Sequence, residues 1–411
     1  MLWLNLAWRN LWRNRTRTLV LLLVISGSLT FVAWMQNIAC GSYDKMIEEA
    51  VRMGSGHLSF HHPGYPAERL TEQYFLRSQA MPLLAGRTGI AAILPRLYVS
   101  ALARSSRDNR AIMMLGVDFD LEKQVNPLLK ETKTVAGHIP ASDTQKLAYI
   151  GIKLAENLRI DIGNKLVVMF QDLSGEINSK LYRVGGIFKS GVTQLDSSTI
   201  FVNRISLAEG LGNRDALHEL AVLLDSRDDL PKHLRQLKGA CAEIHGLSVY
   251  SWEETSKQIA DAIKIDSTQF KFMIFLLYIL VTVGTVNLLL MSIIERTREF
   301  GLLRAIGLDK RRIGWLITCE ALLLGSLGAL IGLVATTVLS FYSWHYGIDF
   351  SAMFGEAEVA GMLFDMRINS SWEWGWMFGL AAAMIIVVLL ASIYPVRKAL
   401  RIAPAEAMKR H

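Results

Sequence analysis

Four long stretches without a charged side chain constrain this sequence of 411 residues more than any other feature. They run from Leu19 to Tyr43, from Phe272 to Ile294, from Ala321 to Tyr346 and from Trp374 to Val396. A helix of about 20 apolar residues crosses the hydrocarbon of a bilayer, so each stretch is long enough to span it. With 51% hydrophobic and 20% charged residues, the composition also departs from that of soluble proteins. The sequence therefore predicts a membrane α-helical protein with four transmembrane helices.

Lysine and arginine residues are concentrated in the segments before the first span, between the second and third spans, and after the fourth. They are Arg9, Arg13, Arg15, Arg17, Arg296, Arg298, Arg304, Lys310, Arg311, Arg312, Arg397, Lys398, Arg401, Lys409 and Arg410. These segments carry a net charge of +10 and the rest of the chain carries −3, which gives the total of +7. Because positive residues near short loops stay in the cytoplasm, we expect both termini inside and residues 44–268 outside. The charge excess follows the membrane ends and does not indicate nucleic-acid binding.

The segment between the first two predicted spans, 44–268, has the composition of an ordinary soluble domain. Alternating runs predict strands at 57–61, 165–170, 181–188 and 199–202, with short helices at 150–158 and 205–211. This pattern predicts a large α+β domain of two lobes, in which about 106–217 is inserted as the second lobe. His57 and His61 share a predicted strand face, but about 13 Å of strand separates them, too far for one metal ion. The three cysteines show neither metal-ligand spacing nor a disulfide framework.

An Arg-rich helix is predicted before the first span. Leu4, Ala7, Trp8 and Leu11 recur at helical spacing, and the opposite face holds Arg9, Arg13 and Arg17. This pattern predicts an amphipathic helix over 1–17 that lies in the headgroup region of a lipid membrane, with its arginines toward anionic lipid. A positively charged anchor without a helix of its own is the alternative. The first span begins like a secretory signal, but its length favours a retained helix.

The connection between the second and third spans combines charges of both signs with an apolar strip. The residues of interest are Glu295, Arg296, Arg298, Glu299, Phe300, Leu303, Arg304, Ile306 and Gly307. Phe300, Leu303 and Ile306 form the strip, and the following glycine can end a helix. We expect an unbroken continuation of the second span into a short amphipathic helix that docks in a partner's groove. A solvated, positively charged loop is the alternative.

Three glycines form a stripe of small residues in the third predicted span. Gly325, Gly328 and Gly332 follow helical spacing, which lets another helix approach closely. The partner is either the first or fourth span of the same chain, or a second chain in a dimer.

Motifs for catalysis are missing from the sequence. A phosphate loop of the G-x-x-x-x-G-K-[ST] kind cannot occur, because the chain contains no Gly-Lys dipeptide. Neither a nucleophile elbow nor an H-E-x-x-H zinc motif is present. Glu320 and His345 are the ionisable residues of the predicted spans, too few for an intramembrane enzyme or a proton relay. We therefore expect no catalytic residue, no cofactor site and no metal site in this chain.

The run E-R-T-R-E-F-G-L-L-R-A-I-G, from Glu295 to Gly307, resembles the hallmark of the FtsX-like permeases of ABC transporters, a family that includes MacB-like permeases. The resemblance extends to L-A-W-R-N-L at the start, to one external domain after the first span, and to Tyr394-Pro395 before the basic tail with Ala403-Pro404-Ala405-Glu406-Ala407. It implies that 295–307 is a coupling helix that contacts a separate ATPase subunit, present in two copies, which binds the ATP and Mg²⁺. It further implies a homodimer or heterodimer with a second permease, a bacterial inner membrane, and a periplasmic domain that receives motion from the ATPases, which is mechanotransmission.

The substrate remains open within this family. The segments Gly54–Leu58 and Pro63–Tyr65 resemble lipoprotein-releasing, Lol-type permeases more than the MacB-like exporters. This resemblance implies release of lipoproteins or other amphiphiles from the inner membrane, with a lipoprotein or periplasmic protein as a further partner. The alternatives are export of a drug, peptide or lipid amphiphile, and a membrane-anchored regulator that transmits a signal to a periplasmic enzyme.

The predicted division of the chain follows from these observations. It comprises the interfacial helix 1–17, the first span 18–43, the external domain 44–268, the second span 269–294, the coupling helix and loop 295–312, the third span 313–344, the external loop 345–373, the fourth span 374–396 and the cytoplasmic tail 397–411.

Overall fold

Long helices and one large mixed sheet make up the computed structural model, which describes residues 2–13, 15–350, 357–359, 362–364 and 367–401. The helices are α1 (Leu2–Arg13), α2 (Arg15–Met53), α3 (Tyr65–Glu68), α4 (Arg77–Leu84), α5 (Phe119–Val125), α6 (Ile152–Leu158), α7 (Thr193–Ser198), α8 (Arg204–Gly210), α9 (Leu230–Cys241), α10 (Trp252–Thr255), α11 (Lys257–Glu295), α12 (Thr297–Ala305), α13 (Lys310–Tyr346) and α14 (Trp374–Leu400). The strands are β1 (Leu58–His61), β2 (Phe75–Leu76), β3 (Ile90–Arg104), β4 (Asn109–Val117), β5 (Thr134–Gly137), β6 (Leu147–Gly151), β7 (Lys165–Gln171), β8 (Ile177–Phe188), β9 (Thr199–Asn203), β10 (Ala216–Leu217), β11 (Glu219–Leu224), β12 (Ser248–Ser251), β13 (Ile348–Asp349), β14 (Ala357–Val359), β15 (Met362–Phe364) and β16 (Arg367–Ile368). Short 3-10 helices lie at Pro127–Leu129, Glu131–Lys133 and Arg227–Asp229.

Four helices in the described part of the chain, α2, α11, α13 and α14, are long and apolar enough to cross a membrane. Each contains one of the predicted spans and extends beyond it. α2 and α11 have 39 residues each, or about 58 Å at 1.5 Å per residue. The predicted boundaries at 43 and 269 lie close to charged residues, but a helix continues through charged residues as long as its backbone hydrogen bonds are kept.

The chain divides into two compact units. In the described residues, the helical unit comprises 2–44, 264–350 and 367–401, and the sheet unit comprises 45–263 with β14 and β15. Both α2 and α11 pass from one unit into the other without a break in the helix. The main core of the helical unit is formed where α2, α11, α13 and α14 meet, around Ile25, Val281, Ala329 and Met384.

The sheet unit contains a ten-stranded sheet in the order β12-β1-β11-β3-β4-β9-β6-β8-β5, with β7 paired to both β3 and β8. The pairings β3-β4-β9-β6-β8-β7-β3 therefore close into a ring of six strands. Apolar side chains from alternate positions, such as Leu97, Met114, Val168 and Val202, fill the ring. The other four-stranded part, β12-β1-β11-β3, packs against α4 and α9 and forms a second core around Phe60, Leu220 and Leu237.

The 15 residues of β3 serve both cores. Its first half, through Arg96, pairs with β11, and its second half, from Leu97, pairs with β4 and β7. The ring core accordingly begins at Leu97 and ends at Leu211. The structure thus differs from the predicted inserted lobe of 106–217, because one continuous strand leaves no turn or linker in the sequence to mark the boundary.

Two predicted segments lie partly outside the described residues. Within the predicted loop 345–373, β13 and β16 pair as a two-stranded ribbon. Within the predicted tail 397–411, Arg397 and Lys398 belong to the last turn of α14. Lys409, Arg410 and the Ala403–Ala407 segment lie outside the described residues.

Candidate functional site

The predicted coupling segment forms the nine-residue helix α12 between α11 and α13. Contrary to the unbroken continuation expected from the sequence, α11 ends at Glu295, and Arg296 has a non-helical backbone conformation (φ −95°, ψ 10°). Gly307 has a φ of +95°, a conformation that glycine adopts without strain, and it ends the segment as its sequence position predicts. The chain therefore turns at both ends of α12.

The inward face of α12 holds it against the helical unit through Phe300. This ring is 2% exposed and packs with Ile293, Ile313, Ile317 and Ala399. The sequence interpretation placed it in a docking strip with Leu303 and Ile306, which are 37% and 77% exposed. The strip is split because α12 turns the aromatic ring toward α13 and α14. Phe300 thus fixes the position of α12 and is not available to a partner.

The outward face of α12 is solvent-exposed and, apart from Arg298, apolar. Leu302 is 50% exposed and Ile306 is 77% exposed. Arg298 and Ala305, also exposed, share this face because residues three, four, seven and eight positions apart lie on one side of a helix. Arg304 is half-buried. We call Arg298, Leu302, Ala305 and Ile306 the outward face.

Ion pairs bind both ends of the α11–α12 connection to the N-terminal segment. Arg13 donates two hydrogen bonds to the Glu299 carboxylate, at 2.6 and 2.7 Å, and Arg17 donates one to Glu295 at 2.5 Å. Partial burial would raise the pKa of Glu299, but hydrogen bonds from Arg13 and Arg296 outweigh it and lower this pKa. The carboxylate is therefore ionised at neutral pH and engaged within its own chain.

A second carboxylate, Glu320 of α13, lies behind this connection. Arg296 donates to both of its oxygens, at 3.0 and 2.9 Å, and Asn10 donates to Oε1 at 2.8 Å. The Arg296 guanidinium also lies over the Phe300 ring at 5.1 Å. From the sequence, Glu320 is merely an isolated charge at the edge of a span. In the structure, Glu320 holds Arg296 at the bend between α11 and α12. The sequence indicates this role only by placing a charge in an otherwise apolar run.

The amphipathic helix α1 is present, but its apolar face is divided. Ala7 and Leu11 are buried against α13, whereas Trp8 is 45% exposed. Arg9 and Arg13 are exposed, as their position opposite the apolar residues predicts. Of the predicted helix over 1–17, the structure describes Leu2–Arg13 as α1, and Arg17 belongs to the first turn of α2. The side chain of Leu4 lies outside the described residues.

The glycines of α13 pack inside the chain. A Cβ at Gly328 would lie 2.7 Å from Cγ2 of Ile25, and one at Gly332 would lie 3.0 Å from Cδ2 of Leu29, both on α2. A Cβ at Gly325 would lie 3.4 Å from Val388 of α14. The sequence left two kinds of partner open. In the structure, these glycines pack against α2 and α14, which contain the first and fourth predicted spans of the same chain.

The sheet unit contains a buried ionic network that the sequence analysis missed. Arg96 is 1% exposed, and its guanidinium donates to Glu122, to Glu219 at 3.0 Å and to the carbonyl oxygen of Gly54. Glu122 and Glu219 are also almost fully buried. Burial alone would raise the pKa of Glu219, but the Arg96 charge lowers it. The only sequence signal is a charge inside each of two strand-like runs, because nothing in the spacing shows that positions 96, 122 and 219 meet.

Two buried histidines adjoin this network. The Nδ1 of His218 accepts a hydrogen bond from the Tyr98 backbone N–H at 3.1 Å, and its Nε2 lies 2.9 Å from the Thr71 carbonyl oxygen. These partners suit a neutral ring with its proton on Nε2. His61, which the sequence predicted on a half-buried strand, is 3% exposed, because β1 is paired on both edges and covered on both faces. Burial lowers the pKa of His218 to about 4.

We expect the sheet unit to lose stability as the pH falls from about 7 to about 4. The unfolded chain binds a proton at position 218 near the ordinary histidine pKa of 6.5, whereas the folded chain binds it only near a pKa of about 4. Protons therefore favour the unfolded state between these values, by on the order of 3 kcal/mol for this group at the acid end. Below its unfolded pKa, Glu219 adds a loss in the same direction, since its folded pKa is lowered.

This pH dependence can be measured through Trp252, the one tryptophan in 45–263, which is 3% exposed. Fluorotryptophan NMR of the full chain during urea unfolding reports this unit at each pH. His218→Asn keeps an acceptor for Tyr98 N–H and cannot titrate, so its stability should fall less steeply toward acid pH. An identical pH slope in His218→Asn and the unsubstituted chain would contradict the assignment to His218.

Groups that could hold a metal, of three or more His, Cys, Asp and Glu side chains, are not found in the residues that the structure describes. The described residues present a helix that is fixed on one face and exposed on the other. An ion pair joins this helix to α1, and a second ion pair joins the end of α11 to α2.

Comparison with known proteins identifies this region. Residues 271–404 match the family model described as FtsX-like permease C-terminal. These residues therefore form an FtsX-like permease domain. The FtsX-like domain contains α12, α13 with its glycines, and α14, whereas α1 and α2 precede it.

Relatives of the whole chain are ABC transporter permeases at low identity. The uncharacterized ABC transporter permease MJ1507 of Methanocaldococcus jannaschii is 21% identical over 99% of this chain and 97% of its own length. The lipoprotein-releasing system transmembrane protein LolC of Neisseria meningitidis is 23% identical over 79% of each chain. The macrolide export ATP-binding/permease protein MacB of Haemophilus ducreyi is 20% identical over 98% of this chain and 55% of its own length. The periplasmic region of MacB from Actinobacillus actinomycetemcomitans aligns with a TM-score of 0.38 at 12% identity, covering 53% of this chain and 98% of that chain.

Proposed function

We propose that this chain is the permease subunit of an ABC transporter and that α12 is its contact with a separate ATPase subunit. The FtsX-like domain and the permease relatives support the transporter class. The observation that carries the coupling role is the division of α12 into a fixed face and a free face. Phe300 is buried, while Leu302 and Ile306 on the outward face are exposed.

Ion pairs at α12 and at the residues just before it support a mechanical role for this helix. Arg13 and Arg17 join the connection to α1 and α2, and Arg296 joins it to Glu320 of α13. A force on the outward face would therefore move α2, α11 and α13 together. Both α2 and α11 continue as single helices into the sheet unit, so they can carry that motion. The chain itself would hydrolyse no ATP and would form a dimer with a second permease.

We further propose that the helical unit lies in a bacterial inner membrane, with the sheet unit in the periplasm. The Arg-rich cluster around α12 then faces the cytoplasm, where basic residues are retained. As cargo we favour lipoproteins or other amphiphiles that already reside in the inner membrane, on the likeness to LolC. MacB relatives, whose name states macrolide export, make small amphiphile export the competing cargo.

Ile306→Asp is expected to separate the chain from its ATPase without unfolding it. A charge at a central, exposed apolar contact commonly costs about 2 kcal/mol or more of binding, so recovery of the ATPase should fall more than tenfold. The measurement is purification of tagged chain from its native membrane, with quantitative mass spectrometry of co-purifying ATPase and an assay of ATP hydrolysis.

Ile177→Asp is the matched control, because Ile177 is 78% exposed and lies on β8 of the sheet unit. Full ATPase recovery with Ile177→Asp and loss with Ile306→Asp would support the proposal. Equal recovery with both variants would reject the outward face as the contact. If crosslinked, unsubstituted chain brought down no ATPase at all, the transporter assignment itself would fail and a membrane-anchored regulator would become the better explanation.

A further inference from the structure

The sheet unit contains a partly open cavity of about 450 Å³ next to the buried ionic network. Its wall includes parts of β3, β4, β9 and α7, so it lies where the ring of six strands meets the rest of the sheet. This volume falls within the usual range of ligand pockets in proteins, about 300–1,000 Å³.

One wall of the cavity is apolar. Met113, Leu115, Leu195 and Phe201 line it. Along β4, Ile112 and Met114 point into the ring core, so the alternate residues Met113 and Leu115 point to the opposite side. Met113, Leu115 and Leu195 are only half-buried, which leaves part of their apolar surface uncovered inside the cavity. Such a wall gains free energy when an apolar chain covers it.

The other wall presents a hydroxyl without a partner. Tyr65 is 4% exposed and lines the cavity. Its ring stacks between His61 and His218, with centroid distances of 5.6 and 5.2 Å, and this fixes the ring. Its hydroxyl makes no hydrogen bond to any residue that the structure describes, so it is available to a ligand in the cavity. A ligand oxygen inside the cavity would satisfy it.

A positive charge stands at the same wall. Arg69 lines the cavity, is exposed, and forms no ion pair within the described residues. Its backbone adopts the left-handed conformation (φ 52°), held by the N–H bond to the Tyr65 carbonyl oxygen at 2.9 Å. In contrast, Arg96 is fully occupied by its two carboxylates and the Gly54 carbonyl. The available cation is therefore Arg69, next to the available hydroxyl.

We propose that this cavity binds a single-chain amphiphile with an anionic head. Its carboxylate or phosphate accepts hydrogen bonds from the Tyr65 hydroxyl and the Arg69 guanidinium, and its hydrocarbon chain covers Met113, Leu115 and Leu195. This site belongs to the sheet unit alone and does not depend on the coupling role of α12. The proposal of an amphiphile site and the proposal of a coupling helix can therefore be rejected independently.

The test uses the full chain in native membrane vesicles with a diazirine analogue of palmitic acid as the probe. After illumination, mass spectrometry locates the crosslinks, so probe dissolved in the bilayer does not obscure the result. We expect labelled peptides from β4 and α7. The diazirine analogue of hexadecanol, which has no anionic head, should label them about tenfold less, as expected for the loss of a charge-assisted hydrogen bond.

Three variants probe the two walls. Tyr65→Phe removes only a hydroxyl that has no protein partner within the described residues, and Arg69→Ala removes an exposed side chain, so both should fold normally and lower palmitate labelling about tenfold. Met113→Trp should fill the apolar wall and abolish labelling by both probes. Met169→Trp is the matched control, since Met169 is equally half-buried on β7 and lies outside the cavity lining.

Absence of label from β4 and α7, or unchanged labelling in Tyr65→Phe and Arg69→Ala, would overturn the proposal. Equal labelling by palmitic acid and hexadecanol analogues would overturn the anionic head. Loss of label in Met169→Trp as well as Met113→Trp would also count against the site, because it would show that any bulky substitution in the sheet unit prevents labelling.

Discussion

Arg96→Met is expected to destabilise the sheet unit by about 3–5 kcal/mol at neutral pH, the usual result of removing one partner from a buried ionic network. Methionine fills much of the same volume, so the loss comes from charge and not from a cavity. Glu122 and Glu219 would keep two negative charges in a site where both side chains are almost fully buried. The carbonyl oxygen of Gly54 would lose its donor as well.

The same variant should also change the pH dependence of this unit. Without the guanidinium, burial would raise the pKa of the Glu219 carboxyl group above the unfolded value. The contribution of Glu219 is then complete below the unfolded pKa and lost as the pH rises. The loss of stability of Arg96→Met relative to the unsubstituted chain should therefore be smaller near pH 5 than near pH 7. Urea unfolding of the full chain, monitored by the fluorotryptophan signal of Trp252, measures both effects.

The triple variant Arg96→Met, Glu122→Gln and Glu219→Gln separates charge from shape. Because it removes the uncompensated charges and keeps similar volumes, it should be more stable than Arg96→Met at neutral pH. If the triple variant were less stable than the single one, or if Arg96→Met lost less than about 1 kcal/mol, the network would not be the stabilising element that its geometry indicates.

Gly328→Leu is expected to have the largest effect in the helical unit. Even a Cβ at this position would lie 2.7 Å from Cγ2 and 3.0 Å from Cβ of Ile25, and a β-branched side chain cannot move those atoms aside by changing a terminal rotamer. The helices α13 and α2 would have to separate. Overpacking commonly costs about 1–3 kcal/mol, and a leucine here adds several atoms beyond the first clash.

The measurement for this variant is thermal unfolding of purified full chain in one detergent. Gly379→Leu on α14 is the matched control, since no atom lies within 4 Å of its Cβ position. Gly328→Leu should unfold at a clearly lower temperature than both the unsubstituted chain and Gly379→Leu. Equal unfolding temperatures for the two leucine variants would show that α2 and α13 are not in close contact at Gly328.

The sequence predicted the long apolar helices well because a run without charge is a strong and local signal. The helix between α11 and α13 was also predictable, since Gly307 and the mixture of charges are adjacent in the chain. The orientation of this helix, α12, was not predictable from the sequence. Whether Phe300 or Leu302 faces outward depends on where α13 and α14 pack, and one helical turn offers more than one apolar face.

The buried ionic network around Arg96 could not be predicted from local sequence patterns. His61 was assigned to a half-buried strand because alternation reveals one apolar face but not what covers the other. Arg96 and Glu219 face each other across paired strands that are more than a hundred residues apart in sequence. The cavity could not be predicted from the sequence for the same reason. Its lining residues Tyr65, Met113 and Leu195 are far apart in the chain and come together only through the order of strands in the sheet. In each case the missing information is the long-range pairing of strands.

The sharing of β3 by two cores has a consequence for the order of folding during synthesis. The ring core is complete once the chain has reached Leu211, and its strands follow one another closely in sequence. The other core needs β11 and β12, and β1 must wait for Ser251 before both its edges are paired. Early contacts close shorter loops, so we expect the ring to form first and to present the free half of β3 as a template for β11. A strand made early is thus left unpaired until the last part of the domain emerges, and this interval is when the nascent chain is most exposed to mispairing.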